Sequence, residues 1–303
     1  MNIRLFFIVV IAAVTLGGIA LYKKFSTASV DSGTVCIFSS NTPGAKDDIR
    51  SIRQALQLYD IKHHQITQDK PCETACIKIF LDQNAFDESI KKEDASLKIG
   101  VRLRDSLEEE NPKVMSVFEE DNGESLIELV ETTVKSPISL LLIYDETSEH
   151  SKRLANQYQE LAKIKEIPIR LCALTASQNI STLLKEVGQN INAVICIPGQ
   201  TLFQDAELIL EHFKTHKIPV FVNHAGLIRS GAFGGYDFDI TEVAHSIAEV
   251  SSSFLRDPNT VKSEAFSELY PQLHLNMDTI KYIGIQLDSD LLDEAITVGG
   301  ADL

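Results

Sequence analysis

Short apolar runs alternate with amphipathic stretches along the chain from residue 34 onwards. The run 34–39 predicts a buried strand, and after it Ile49, Ile52, Leu56 and Tyr59 recur at the spacing of the buried face of a helix. The same alternation continues to about residue 255. It predicts an α/β fold with mainly parallel sheets flanked by helices.

Two successive series of strands and helices are visible, with a break near residues 120–137. The predicted strands cover 34–39, 61–67, 76–81, 97–103, 113–118, 138–144, 168–174, 193–197, 218–222 and 231–233. The predicted helices cover 47–59, 124–134, 152–165, 180–189, 201–216 and 239–255. Two such series predict two lobes with a cleft between them, and ligands of such sheets bind at the carboxyl ends of the strands.

One connection in the first series is unusually short. Only residues 68–75 separate the predicted strands 61–67 and 76–81, whereas a crossover between parallel strands normally needs a dozen or more residues. Two alternatives follow. Either the strand 61–67 is not parallel to its neighbours, or this half of the chain is locally rebuilt.

The amino-terminal segment has a different character. Residues 5–22 contain no charge, and as a helix they would measure about 27 Å, just sufficient to cross a bilayer core. Arg4 precedes the segment, and Lys23 and Lys24 follow it. We expect either an uncleaved signal anchor or a signal peptide cut near Ala28, and the long apolar run with its following Lys pair favours the anchor. Both alternatives place the rest of the chain in an extracytoplasmic, periplasmic location.

The charge balance excludes one large class of function. The chain has 28 Lys and Arg against 43 Asp and Glu, a net charge of −15. Because the first 28 residues contain no acidic residue, this excess belongs to the remainder. Proteins that bind nucleic acids need a basic surface, so we expect no nucleic-acid partner. The content of 44% hydrophobic and 23% charged residues is that of an ordinary globular protein.

Motifs for catalysis and metal binding are weak. The chain has no G-x-S-x-G, Walker A, G-x-G-x-x-G or H-E-x-x-H motif in a suitable context, so we expect neither an enzyme nor a cofactor. His212 and His216 have the i, i+4 spacing of a metal-binding pair. They also lie in the last turn of a predicted helix, where we interpret them as groups that cap its carbonyl end. We therefore predict no metal site.

The five cysteines divide into two groups. Cys36, Cys172 and Cys196 lie on apolar strands, where the default role of cysteine is that of a small buried side chain. Cys72 and Cys76 flank a three-residue turn. In an oxidising compartment they are candidates for a disulfide, with each other or with Cys36.

Three polar loops follow predicted strands, at 145–151, 198–201 and 223–226. Their short hydroxyl and amide groups can hold a polar ligand, and the first N–H groups of the following helices can complete an anion site. The alternative is that these side chains only cap the helices that follow.

The second half of the chain resembles the tryptophan/tyrosine-type (TrpX-like) family of ABC-transporter substrate-binding proteins over residues 137–300. The matching segments are 143–151 (IYDETSEHS), 193–201 (AVICIPGQT), 218–221 (IPVF), 231–232 (GA), 235–238 (GYDF), 275–276 (LN), 284–285 (GI) and 291–295 (LLDEA). Their order and spacing are more specific than any single segment. The resemblance is weak over residues 33–136.

This resemblance implies a two-lobed periplasmic-binding-protein-like fold preceded by one hydrophobic helix. Lobe 1 would cover 33–136 and lobe 2 would cover 137–303, with the chain crossing back to lobe 1 near its C-terminal region. The implied function is that of the solute receptor of an ABC importer, with an ABC permease as partner. Hinge closure would bind a small polar or aromatic, amino-acid-like solute without any bond chemistry.

The candidate ligand-binding residues come from loops that follow strands in both lobes. They are Ser39, Ser40 and Asn41 in lobe 1, and Ser148, Glu149, Ser151, Gln200, Thr201, Asn223, Tyr236 and Asp237 in lobe 2. Glu149 or Asp237 would pair with an ammonium group, while hydroxyls and helix starts would bind a carboxylate. Tyr236 would stack on a ring or belong to the core.

A second function stays open at this point. The altered first half and the expected membrane anchor also fit a degenerate binding-protein fold, tethered to the membrane, that acts as a protein-interaction or sensory module without transport.

Overall fold

The computed structural model describes most of the chain after residue 34. The described residues are 35–38, 45–66, 77–81, 83–91, 96–103, 113–118, 123–175, 180–187, 190–259 and 270–299. The expected anchor at 5–22, the expected cleavage site at Ala28, the candidates Ser39, Ser40 and Asn41, and the cysteines Cys72 and Cys76 lie outside these residues. Within the described part of the chain, no helix has the length and apolar character needed to span a bilayer.

The first sheet contains five strands, all parallel, in the order β2-β1-β3-β4-β5. The strands are β1 (Val35–Phe38), β2 (His63–Ile66), β3 (Ile77–Phe80), β4 (Leu97–Leu103) and β5 (Val114–Phe118). All five were expected from the apolar runs. The helices α1 (Ala45–Leu58) and α2 (Gln83–Ile90) belong to the same half of the chain. Of these, α2 was not predicted.

The short connection between β2 and β3 joins two strands that are both parallel to β1. The strand predicted at 61–67 pairs in parallel with β1, so the alternative of a non-parallel strand is wrong. β2 and β3 lie on opposite sides of β1, and only residues 67–76 connect them. These ten residues lie outside the described part of the chain.

The second sheet contains seven strands in the order β12-β11-β10-β9-β8-β6-β7. They are β6 (Leu140–Asp145), β7 (Ile169–Leu174), β8 (Ala193–Cys196), β9 (Val220–Phe221), β10 (Gly234–Asp237), β11 (Gln272–Asn276) and β12 (Ile296–Val298). All neighbours are parallel except the pair β10 and β11. The helices are α3 (Gly123–Thr133), α4 (Glu149–Ile164), α5 (Ile180–Val187), α6 (Gln200–Thr215), α7 (Ala225–Arg229), α8 (Ile240–Arg256), α9 (Met277–Ile283) and α10 (Ser289–Asp293).

The strand expected at 231–233 is displaced by three residues. The N–H groups of Gly231 and Ala232 donate to the carbonyls of Ile228 and Leu227, so these residues end α7 instead of starting a strand. The chain becomes extended only at Gly234. The sequence prediction was wrong here because it did not include the short helix α7.

The two sheets have separate hydrophobic cores, and two helices pack away from the strands that precede them. α8 follows β10 of the second sheet, yet its Ile247 and Phe254 lie in the first core with Ile37 and Ile52. α3 follows β5 of the first sheet, yet its Leu126 lies in the core of the second. The chain therefore passes between the two cores on either side of α8 and again before α3.

The described cysteines agree with the expectations. Cys36 is buried and is disulfide-bonded, which agrees with the alternative of a disulfide at Cys36; its partner lies outside the described residues. Cys72 and Cys76 stay predicted candidates for a disulfide. Cys172 and Cys196 are free and buried as expected, and both pair in register with Ile143 of β6. They are thus two strand spacings apart, roughly 9–10 Å, which is too far for a disulfide.

We expect Cys172 and Cys196 to resist alkylation in the folded protein. Burial raises the pKa of the Cys172 thiol to about 11 and raises that of Cys196 as well, while the thiolate is the reactive form. Iodoacetamide should modify either residue at least about a hundredfold more slowly than a free thiol with a pKa near 8.5. Peptide mapping with and without denaturant measures this, and equal labelling in both conditions would contradict it.

Candidate functional site

Polar residues collect at one edge of the second sheet. The strands β6, β8, β9 and β10 are mutually parallel, so their carboxyl ends lie next to one another. Asp145 ends β6, the loop 197–199 follows β8, and Asn223 follows β9. Asp237 ends β10. This edge is where ligands of open α/β sheets bind.

Asp145 connects two of these loops. Asp145 is only 1% exposed. Oδ1 accepts hydrogen bonds from the N–H of Thr147 at 2.9 Å and from its hydroxyl at 2.6 Å. Oδ2 accepts from the N–H of Thr201 at 2.9 Å, in the first turn of α6. The carboxylate therefore holds its own loop against the start of a helix that follows another strand.

The protonation of Asp145 follows from these bonds. Burial by itself raises the pKa of this carboxyl, but the hydrogen bonds from Thr147 and Thr201 outweigh it, and the net pKa is below the ordinary value. Asp145 is thus a carboxylate at neutral pH, and its negative charge lies at the amino end of α6, where the helix dipole favours it.

Two predicted residues surround Asp145. The hydroxyl of Ser151, which is fully buried, accepts a hydrogen bond from the N–H of Asp145 at 3.0 Å. Ser148 caps α4, and its hydroxyl accepts from the N–H of Ser151 at 3.2 Å. Gly199 lies so close that a Cβ on it would come within 2.7 Å of the Asp145 Cβ. Three of the predicted residues of these two loops, Ser148, Ser151 and Thr201, are therefore brought together around Asp145.

A second group forms where β9 and β10 end. Asn223 accepts a hydrogen bond from the N–H of Tyr236 at 3.1 Å and donates to the hydroxyl of Tyr158 at 3.5 Å. The half-buried ring of Tyr236 packs on the core of the second sheet. Burial raises its pKa, with Glu128 and Glu294 adding to the effect. Tyr236 therefore belongs to the core, which is one of the two roles that the sequence left open for it.

Asp237 is 4% exposed and also bonds to main-chain groups. Its two oxygens accept from the N–H groups of Ala225 and Phe238. The ring of His274 bonds to the main-chain carbonyl of Asp237 at 3.2 Å, and burial lowers the pKa of this histidine. Asp237 thereby fixes the start of α7 against the end of β10.

The remaining two candidates are placed differently. Glu149 begins α4, its side chain is 88% exposed, and it forms an ion pair with Lys152 at 2.8 Å. Gln200 begins α6, and the described part of the chain does not include its side chain. Among the described side chains, Glu149 bonds to Lys152 and is not drawn into the hydrogen-bonded groups around Asp145 and Asp237.

The starts of the helices at this edge carry acceptors that the chain itself supplies. The acceptors are Ser148 for α4, Asp145 for α6, His224 and Asp237 for α7, and Asp239 for α8. These N–H groups already donate hydrogen bonds within the chain. The expectation that the helix starts bind a carboxylate is therefore corrected for these groups. The capping alternative applies to these groups.

Sequence reasoning missed two residues of this site, Asp145 and His224. Asp145 was included only as part of a loop, although an acidic residue directly after the run 138–144 is itself a signal. His224 is 5% exposed, caps α7 through Nδ1, and packs its ring edge-on against Phe203 at 5.0 Å. The described residues contain no group of three or more His, Cys, Asp or Glu side chains that could hold a metal ion.

Comparison with solved structures shows the fold. A conserved domain protein from Vibrio cholerae matches with a TM-score of 0.70 at 12% identity, covering 88% of this chain and 99% of its own. An ABC domain from Streptococcus pneumoniae in complex with L-Trp matches with a TM-score of 0.71 at 11% identity, covering 88% and 100%. A ligand-free, open substrate-binding protein with adhesive properties from Clostridium difficile matches at 0.67 and 11%, covering 88% and 99%.

The family is shown by the sequence itself. No curated protein matches the chain. The model of the family described as ABC transporter substrate binding protein, however, matches residues 95–298, which is more than half of the chain. This match includes β4 to β12 and thus every strand that ends at the site. The chain therefore belongs to the ABC transporter substrate-binding proteins, as its resemblance to them indicated.

Proposed function

We propose that this protein is the extracytoplasmic solute receptor of an ABC importer and that it closes two lobes around a small solute. The observation that carries the proposal is the convergence of Asp145, Thr201, Asn223 and Asp237 at the carboxyl ends of neighbouring parallel strands. One lobe would contain the first sheet with α8, and the other the second sheet with α3. Segments that pass between two cores are suited to act as hinges.

The polarity of the second sheet's edge favours a particular orientation of the solute. The buried carboxylates of Asp145 and Asp237 lie at this edge, and the exposed carboxylate of Glu149 lies in the first turn of α4. We infer that the solute presents an ammonium group or other hydrogen-bond donors to this lobe. A carboxylate on the same solute would face Ser39, Ser40 and Asn41 of the other lobe. An amino-acid-like solute satisfies both conditions, and the L-Trp complex of the pneumococcal protein supports this class.

The proposed location is extracytoplasmic, and the proposed partner is an ABC permease. The disulfide at Cys36 fits an oxidising, extracytoplasmic compartment. The apolar segment 5–22 would export the chain or anchor it to the membrane, and an ABC permease would receive the solute. Family membership supports the permease as partner.

We expect amino acids to stabilise the protein against thermal unfolding. The full chain, kept in a mild detergent, is screened against amino acids, amines, polyols and small acids. At a concentration of about 100 times the dissociation constant, a ligand should add about 2.7 kcal/mol to the free energy of unfolding. A simple carboxylic acid without an amine should give a much smaller shift than the corresponding amino acid.

A matched pair of variants tests the contribution of Glu149. Glu149→Gln should weaken binding of the best amino acid about tenfold, because a rim carboxylate near an ammonium is worth about 1 kcal/mol or more when partly desolvated. Glu160→Gln on the same helix removes a comparable i, i+3 ion pair with Lys163 and should leave binding unchanged. If a broad library shifts nothing, the receptor function is wrong and the module without a solute is favoured.

A further inference from the structure

The end of α6 that is remote from the strand carboxyl ends carries a pair of imidazoles. His212 and His216 are one turn apart, and their ring centroids are 4.5 Å apart with planes inclined by 35°. α6 begins at the candidate solute site with Gln200 and rises about 1.5 Å per residue. The pair is therefore more than 15 Å from that site and is separate from it.

The structure fixes the tautomer of His216. Its Nδ1 lies 2.7 Å from the main-chain carbonyl oxygen of His212. A carbonyl can only accept, so Nδ1 carries the proton and donates. This is the capping role expected from the sequence, and it is confirmed. In the neutral ring the lone pair then lies on Nε2, and a metal-bound histidine ordinarily has just this arrangement, with its other nitrogen donating to a carbonyl or carboxylate.

His212 is suited to the same role. Its ring packs edge-on against Phe213 at 5.1 Å, which restricts its orientation. His212 stands one turn before His216, at the i, i+4 spacing of a metal-binding pair.

The separation of the two rings permits a shared metal ion. A metal–nitrogen bond of about 2.1 Å places the metal roughly 3.2 Å from the centre of each ring. With centroids 4.5 Å apart, an ion at that distance from both would see them at an angle of about 90°, within the range of octahedral or distorted tetrahedral coordination.

The surroundings of the pair permit a cation. The carbonyl end of α6 carries partial negative charge. The ammonium of Lys214 lies over the ring of Tyr282, 5.3 Å from its centroid. Glu211 accepts a hydrogen bond from Thr215. Lys217 follows the cap in the sequence.

We propose that His212 and His216 form a two-imidazole chelate site for a divalent transition-metal ion such as Ni²⁺, Cu²⁺ or Zn²⁺. Water would occupy the remaining coordination positions, because the described residues offer no group of three or more metal-binding side chains. These ions prefer imidazole ligands, whereas Mg²⁺ and Ca²⁺ prefer oxygen and should not bind here.

The test is a titration of the full chain, without a histidine tag, with NiCl₂ and in parallel with MgCl₂. It is carried out by calorimetry in mild detergent at a pH above the ordinary histidine pKa of about 6.5. Ni²⁺ should bind saturably and Mg²⁺ should not. His216→Ala should weaken Ni²⁺ binding at least about tenfold, since a chelate becomes a single ligand. The absence of saturable Ni²⁺ binding would overturn the proposal.

Two further variants separate the pair from histidines in general. The double substitution Lys214→His with His216→Lys keeps the composition but places the second imidazole at i, i+2 from His212, off the shared face of the helix. It should bind Ni²⁺ as weakly as His216→Ala. His150→Ala on α4 should bind like the unsubstituted chain. Unchanged affinity in the double variant, or loss of affinity in His150→Ala, would show that the pair is not the site.

Discussion

Replacing Asp145 with asparagine is expected to lower the free energy of unfolding by about 3 kcal/mol. The carboxylate accepts three hydrogen bonds, from the N–H and hydroxyl of Thr147 and from the N–H of Thr201. Hydrogen bonds to a buried charged group contribute about 1.5–3 kcal/mol each in mutational series. An asparagine can replace only one of the two acceptor oxygens, and its NH₂ would face a donor. Denaturant unfolding of the two proteins measures the difference.

The same carboxylate should make stability depend on pH in the acid range. Because the pKa of Asp145 is lower in the folded protein, its stabilisation is complete above the unfolded value of about 3.9. It is lost as the pH falls through the lower, folded value. The difference between the unsubstituted chain and Asp145→Asn should therefore shrink in strong acid.

A matched control lies next to Asp145 in the sequence. Glu146 is exposed, and Glu146→Gln removes the same charge from the same loop without removing a buried acceptor. It should change the free energy of unfolding by less than about 0.5 kcal/mol. Equal losses in the two variants would show that loop charge, and not the buried hydrogen bonds, is what matters here.

Replacing Gly235 with alanine is the second change with a large expected effect, about 3–4 kcal/mol of lost stability. A Cβ at this position would lie 2.2 Å from the carbonyl oxygen of Val222, a main-chain atom of the neighbouring segment. The backbone itself would have to move, and such overpacking costs about 1–3 kcal/mol. The φ of 157° adds conformational strain of about 1–2 kcal/mol for a residue with a Cβ.

Gly284→Ala separates the two contributions. Gly284 ends α9 with a φ of 85°, and no atom lies within 4 Å of the position that a Cβ would take. The substitution should therefore cost only the left-handed conformation, about 1–2 kcal/mol. Thermal or denaturant unfolding of both variants compares them. If Gly235→Ala costs no more than Gly284→Ala, the close approach of Gly235 to Val222 is not a constraint on the fold.

Much of the parallel-sheet architecture could be predicted from the sequence. β6 and β8 are buried, mainly apolar runs, because strands covered on both faces have no polar side to interrupt the pattern. The elements after residue 256 were missed for the opposite reason. β12 and α10 are short and lie at the edge of the second sheet, where partly exposed residues give no strong periodicity. α7 has only five residues, and its cap, His224, is not among the usual capping residue types.

Part of the candidate site could be predicted, because several of its residues lie in loops whose position follows from the local sequence pattern. Ser148, Ser151, Thr201 and Asn223 lie in loops that follow strands, and the sequence places those loops at one edge of the sheet. Whether a side chain in such a loop faces a solute or serves its own backbone depends on residues far away in the sequence. Asp145 and Thr201 are separated by 56 positions, yet they share a hydrogen bond.

The sequence by itself determined the fold class, most of the strands, the family and the loops that form the site, because these follow from local periodicity and from short ordered motifs. Only the tertiary structure decided that α8 belongs to the first core and α3 to the second. It also decided that Asp145 and Asp237 bond to helix starts, and that Gly235 approaches the backbone at Val222. These features depend on which surfaces pack against each other, and packing joins residues that the sequence keeps far apart.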